Sequence, residues 1–171
     1  MRVISGEKKG FKLKSPKGTD TRPTEDRIKE SLFNILRDIH RDAVVLDLFA
    51  GSGGIGIELL SRGAKKTYFV DKSYECIRTI KDNLIQTDLI NRSEIIKKDA
   101  FRVLKEFYNK DMKFDFIFAD PPYEKGLALK ILEAVDDMNL LKENGLLILE
   151  HEIKLDIDNK SLSKLSKMDY R

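Results

Sequence analysis

Val44-Val45-Leu46-Asp47-Leu48-Phe49-Ala50-Gly51-Ser52-Gly53-Gly54-Ile55-Gly56 decides the architecture. The apolar run Val44 to Phe49 reads as a buried strand, the glycines as a tight turn, and Ile55 onward as the start of a helix that ends near Arg62 and Gly63. Gly51, Gly53 and Gly56 match G-x-G-x-x-G, a weak pattern alone and an informative one between a strand and a helix. The same alternation continues downstream. Strands are expected over 67–71, 94–98, 114–119 and 145–151, separated by helices over about 74–88, 101–108 and 125–137. Repeated strand–helix units imply a mostly parallel, Rossmann-like sheet with helices on both faces. Leu162 to Met168 is the remaining candidate strand, so a final antiparallel strand is expected to be absent.

In such a sheet, ligands bind at the carboxyl ends of the strands. Asp71 ends the second strand, where an acid accepts from ribose hydroxyls, so the turn and Asp71 together point to an adenosine-containing ligand. Asp47 argues against a dinucleotide. A carboxylate there faces the pyrophosphate position, and two negative groups in a cleft repel by roughly a few kcal/mol at an effective dielectric near 20. S-adenosylmethionine lacks phosphate and carries two positive groups, which favours an acid at that place. Asp47 can equally organise the loop by bonding backbone amides. Asp99-Ala100-Phe101 ends the third strand. Asp99 can accept from an adenine amino group or cap the helix that follows, and Phe101 can cover the ring.

The fourth strand runs into Asp120-Pro121-Pro122-Tyr123. Two prolines cannot continue a ladder. The corner collects a carboxylate, a carbonyl and an aromatic ring, which is what a planar amino group needs: two acceptors for its hydrogens and a surface on which its heterocycle stacks.

Before residue 43 the pattern differs. Arg2 to Ser5 and Phe11 to Lys14 flank a glycine-bounded loop and read as a hairpin. Residues 15–23 form a linker, Thr24 can cap a helix, and Ile28, Leu32, Ile35, Leu36 and Ile39 give that helix one apolar face. Residues 1–41 are therefore expected to form an extension to a body over 42–171. Residues 1–19 carry +5 and the remainder −2, for a total of +3. Positive charge gathered in an arm suggests a polyanionic partner, nucleic acid first, though a solvated basic hairpin would look the same.

The chain has 171 residues, enough for one domain with a full core. A single cysteine, Cys76, excludes an internal disulfide and a Cys-rich zinc site, and two distant histidines, His40 and His151, make no metal site. No apolar run is long enough to span a bilayer and the N-terminus lacks a signal-peptide core, so a cytoplasmic location is expected. A monomer is the default expectation.

In combination, FAGSG, VDKS, KKDAF and DPPY resemble the class I S-adenosylmethionine-dependent methyltransferases, and their order resembles the amino-group methyltransferases. Arg2 to Pro16, Arg22-Pro23-Thr24 and Lys29 to Leu36 resemble the bacterial RsmD family of 16S rRNA guanine-N2 methyltransferases, and the likeness runs from residue 1 to about 151. This resemblance implies methyl transfer from S-adenosylmethionine to a guanine N2. It implies cofactor binding by Asp47, Phe49, Gly51, Gly53, Asp71, Lys72, Asp99, Ala100 and Phe101. Asp120 and the Pro121 carbonyl would accept the amino hydrogens, and Tyr123 would stack on a splayed-out base. Arg2, Lys8, Lys9, Lys12, Lys14 and Arg22 would hold 16S rRNA, naked or within a small-subunit particle. No metal is implied. A DNA adenine-N6 or cytosine-N4 methyltransferase shares FxGxG and DPPY, but it normally carries a separate recognition region. Protein glutamine methylation normally has Asn at the Asp120 position.

Overall fold

A computed structural model describes residues 1–16, 24–36, 39–123 and 126–151, with side chains of the first helix described from Lys29 to Asn34 and at Leu36. The elements are α1 (Thr24–Leu36), β1 (Val44–Leu48), α2 (Gly54–Ser61), β2 (Lys66–Asp71), α3 (Tyr74–Gln86), β3 (Ser93–Lys97), α4 (Ala100–Asn109), β4 (Phe114–Ala119), α5 (Leu127–Asp137) and β5 (Leu141–Leu149). A 3₁₀ turn, Ile90–Arg92, precedes β3.

The five strands are parallel in the order β3-β2-β1-β4-β5. The order reverses at β1, so the crevice at a switch point opens between the carboxyl ends of β1 and β4. Strand alternation divides the core into two layers. Val45, Phe69 and Phe116 pack with Phe33 of α1, Ile57 and Leu60 of α2, and Ile80 and Leu84 of α3. Leu46, Leu48, Val70 and Ile117 pack on the other face with Val103, Leu104 and Phe107 of α4 and Ile131 and Val135 of α5. Each fully buried Leu, Ile or Phe stabilises by about 1.5–3 kcal/mol.

Most expected boundaries move by one or two residues. Strand β5 moves more, beginning at Leu141 rather than 145. Leu141 pairs with Phe114, the register then shifts, and Leu146 pairs with Phe116. Asn144, at φ 61, lies in this bulge. The polar Lys142-Glu143-Asn144 stretch precedes the apolar run expected as the strand, but its backbone is already in the strand. On α1, Leu36 is partly buried against the core, while the most buried of the described side chains is Phe33, which lies outside the apolar face expected from sequence. Its ring carries the Arg62 guanidinium 4.3 Å from the centroid. The side chains of Thr24, Ile28 and Ile35, the linker from residue 17 to 23, and the Leu162–Met168 segment lie outside the described residues. Among the described residues, no helix is long and apolar enough to cross a membrane.

The N-terminal arm folds back on itself and is bound to the body. Arg2 and Lys12 form an antiparallel bridge, and Val3 N–H donates to the Phe11 carbonyl at 2.9 Å. Glu58 of α2, fully buried, accepts from the backbone N–H of Ile4 at 2.8 Å and of Ser5 at 2.9 Å. Lys29 and Arg62 balance its charge at 3.4 and 2.9 Å. Asn83 of α3 accepts from Lys14 N–H at 2.8 Å and donates to the Lys14 and Ser52 carbonyls at 3.0 and 2.9 Å. One buried amide thus ties the arm to the glycine turn.

Candidate active site

The turn after β1 is built by its own backbone. Phe49 has φ 55, and Gly51 and Gly53 have φ 57 and 77, a left-handed region that glycine enters without steric cost. Gly56 serves packing instead. A Cβ there would lie 2.3 Å from the Phe69 ring, so only glycine lets α2 sit this close to β2. At Gly54 a Cβ would meet the Met1 sulfur at 2.1 Å, which shows how closely the start of the arm approaches the turn.

Two carboxylates hold the turn in place. Asp47, on β1 and 1% exposed, accepts from Gly56 N–H at 3.0 Å in the first turn of α2. Asp71, at the end of β2, accepts from Gly51 N–H at 3.0 Å and from Ser73 N–H at 2.8 Å. Sequence reading gives Asp71 a ligand role alone; the structure adds a second, anchoring the glycine turn to β2. The remaining lone pairs of the carboxylate stay compatible with ribose hydroxyls.

Phe49, Asp71, Lys72, Asp120, Pro121, Pro122 and Tyr123 line one cleft of about 340 Å³, at the lower end of small-molecule sites. The strand ends therefore join the two motifs read separately in sequence, the glycine turn with its acid and the double-proline corner. Pro121 is buried and Asp120 exposed. The Tyr123 ring is 63% exposed. Its hydroxyl donates to Glu150 Oε1 at 3.2 Å, and Glu150 N–H donates to the Ala119 carbonyl at 2.9 Å. Glu150 is not legible as a site residue in sequence, because its only signal is a place one residue past β5.

Asp99 caps α4, accepting from Phe101 N–H at 3.1 Å and Arg102 N–H at 3.2 Å. Ala100 is buried and Phe101 half-buried in the α4–α5 layer. These three residues stand at the end of β3 and do not line the cleft around Asp120. On the arm, Arg2, Lys9, Lys12 and Lys14 are exposed and Lys8 half-buried, with Lys14 paired to Asp82 at 3.4 Å. Arg22 lies outside the described residues.

The electrostatics select the ligand's charge. Burial pushes the Asp47 carboxyl up to about 8; the Gly56 amide opposes this, and the charges of Asp120 and Asp71 push it up further. Three acids thus converge on the carboxyl ends of β1, β2 and β4. A sulfonium and an ammonium would relieve their repulsion, and a pyrophosphate would add to it. Among the described residues, no cluster of His, Cys, Asp and Glu could hold a metal ion.

A parallel 3-2-1-4-5 sheet, a glycine turn bound to an acid on β2, and a double-proline corner after β4 define a class I S-adenosylmethionine-dependent methyltransferase. The chain belongs to the family described as Conserved hypothetical protein 95, matched over residues 1–171, and to the RsmD family. YlbH of Bacillus subtilis is 42% identical over 157 residues, covering 92% of this chain and 85% of that protein. Ribosomal RNA small subunit methyltransferase D of Haemophilus influenzae is 37% identical over 153 residues, covering 89% and 79%. The solved structure of a Thermus thermophilus hypothetical protein superposes with a TM-score of 0.81 at 29% identity, covering 93% of this chain and 90% of that one.

Proposed function

We propose that this protein methylates the exocyclic N2 amino group of a guanine in small-subunit ribosomal RNA, with S-adenosylmethionine as cofactor. The observation that carries the reading is the shared cleft, in which Asp120, Pro121 and Tyr123 face Phe49, Asp71 and Lys72. Relatives named as small-subunit rRNA methyltransferases supply the substrate class.

When bound, S-adenosylmethionine supplies an electrophilic methyl group. Asp47, Phe49, Gly51, Gly53, Asp71 and Lys72 would hold it, with Asp99, Ala100 and Phe101 on the adenine side. The guanine N2 is a poor nucleophile because its lone pair is delocalised into the ring. The Asp120 carboxylate and the Pro121 carbonyl accept its two hydrogens and favour a more tetrahedral nitrogen. Tyr123 stacks on the base, which must leave any helical stack to reach the cleft. Positioning and preorganised electrostatics then carry the rate. The proton leaves after the nitrogen becomes cationic, so Asp120 need not be a strong base.

Residues 1–41 act in this reading as an RNA-facing extension of the body over 42–171. Arg2, Lys8, Lys9, Lys12, Lys14 and Arg22 hold phosphates flanking the target, and the protein works in the cytoplasm as a monomer. The test is incorporation of labelled methyl groups into naked 16S rRNA, assembled or partly assembled small subunits, and duplex DNA, with nucleoside analysis. N2-methylguanosine from one of the RNA substrates is the expected product. N6-methyladenine or N4-methylcytosine from DNA would overturn the reading.

A further inference from the structure

Glu150 stands beside the amino-accepting corner rather than within it. Ala119 of β4 pairs with Leu149 of β5, so the next residues on the two strands, Asp120 and Glu150, leave the sheet side by side. Adjacent strands lie about 5 Å apart. The Glu150 N–H bond to Ala119 extends the ladder past the end of β5 and fixes the Glu150 backbone. Its Oε1 then accepts from the Tyr123 hydroxyl at 3.2 Å. Tyr123 is 63% exposed, and this bond narrows the rotamers open to its ring. The carboxylate therefore restrains the stacking ring and stands on the same rim as Asp120.

Guanine presents two adjacent donor groups, the N2 amino group and the N1–H. The corner supplies two acceptors, the Asp120 carboxylate and the Pro121 carbonyl, and both serve N2. The N1–H can go to the second Asp120 oxygen or to a neighbouring carboxylate, and Glu150 is that neighbour. Adenine and cytosine also carry an exocyclic amino group, but the ring nitrogen beside it is an acceptor, which a carboxylate repels. We propose that Glu150 selects guanine, accepting from its N1–H while the Tyr123 hydroxyl holds the carboxylate at the edge of the cleft. This assignment rests on guanine-N2 methylation as the reaction.

The test uses the full-length protein and a small-subunit RNA substrate in which the methylated guanine has been mapped. A matched RNA carries 2,6-diaminopurine at that position, which keeps the C2 amino group but turns N1 into an acceptor. Wild type should favour guanine by about 100-fold or more in kcat/KM, the scale set by leaving a charged acceptor without its donor. Glu150→Gln can still accept from Tyr123 and offers an N–H to the ring nitrogen, so its preference should fall to about tenfold or less. Glu150→Ala should lose the preference and also turn over more slowly, and Tyr123→Phe, which removes the hydroxyl that holds the carboxylate, should slow turnover and weaken the preference in part. Calorimetric S-adenosylmethionine affinity should stay within about twofold of wild type in all three. An unchanged guanine preference in both Glu150 variants overturns the assignment alone. A wild type that methylates no guanine overturns the reaction and this assignment together.

Discussion

Replacing Asp47 with Asn should stabilise the ligand-free protein, by an amount that grows with pH. The carboxyl is 1% exposed and sits at about 8 rather than the ordinary 3.8, through burial first and the Asp120 and Asp71 charges after it. The folded protein therefore keeps a proton that the unfolded chain gives up between about pH 4 and pH 8. Stability falls as pH rises through that window, and the full cost is present above about pH 8. A rise of this size corresponds to about 6 kcal/mol at most, and relaxation around the buried group lowers the cost to roughly 2–4 kcal/mol. Asn does not titrate and its carbonyl can still accept from Gly56 N–H. Urea unfolding of wild type and Asp47→Asn at about pH 5, 7 and 9 should therefore show a stability difference that widens by about 2–4 kcal/mol. A difference that stays constant with pH would refute the assignment of a proton to Asp47. The same substitution should weaken S-adenosylmethionine binding, because a bound cation favours the ionised acid. Wild type should release protons on binding below about pH 8, seen as a buffer-dependent calorimetric heat, and Asp47→Asn should release fewer.

Asp71→Ala should weaken S-adenosylmethionine binding by roughly 1.5–3 kcal/mol and also loosen the glycine turn, read as faster amide exchange at Gly51 and Ser73. Asp120→Asn should cut single-turnover rates by about 100-fold or more while calorimetric cofactor affinity moves little; a near-normal rate would make Asp120 a corner residue only. Glu58→Ala should cost about 3–5 kcal/mol in urea unfolding, because it removes the carboxylate that balances the buried Lys29 and leaves two arm amides unbonded. Replacing Lys8, Lys9, Lys12 and Lys14 with Ala should leave cofactor binding intact and make the salt slope of RNA affinity shallower by about 0.7–0.9 for each phosphate released from the arm, with equal slopes excluding the arm from the RNA surface.

The fold was legible because its signals are local. Five apolar runs alternate with helical periodicity, and a turn needing left-handed backbone at Gly51 and Gly53 leaves few alternatives to a strand–glycine–helix unit. The cleft was legible in halves, since each motif marks its own strand end and the parallel topology alone brings them together. What sequence did not yield was the set of side chains whose work is to connect elements far apart in the chain. Glu58 reads as an ordinary helix glutamate and Asn83 as a polar residue on α3, yet both are fully buried because the arm's backbone supplies their partners. Glu150 is hidden for the same reason, since its role is set by a strand register and a tyrosine 27 positions away.

Those connecting residues give the basic arm a geometric meaning that its charge lacks. A +5 segment on a flexible tether would attract RNA without orienting it. Here the Lys14 backbone is bonded through Asn83 to the Ser52 carbonyl of the glycine turn, and the Ile4 and Ser5 amides are bonded to Glu58 on the helix that follows that turn. Phosphates held by the arm would be placed at a fixed distance from the cleft, because the links between them are hydrogen bonds to the buried Glu58 and Asn83 side chains and a helix turn. An enzyme that must present one nucleotide among many gains more from such a rigid offset than from added charge, since misplacement by about 1 Å can cost 100-fold in rate. On this argument Asn83→Ala should impair turnover on RNA more than it impairs RNA affinity, even though Asn83 touches neither the cleft nor solvent.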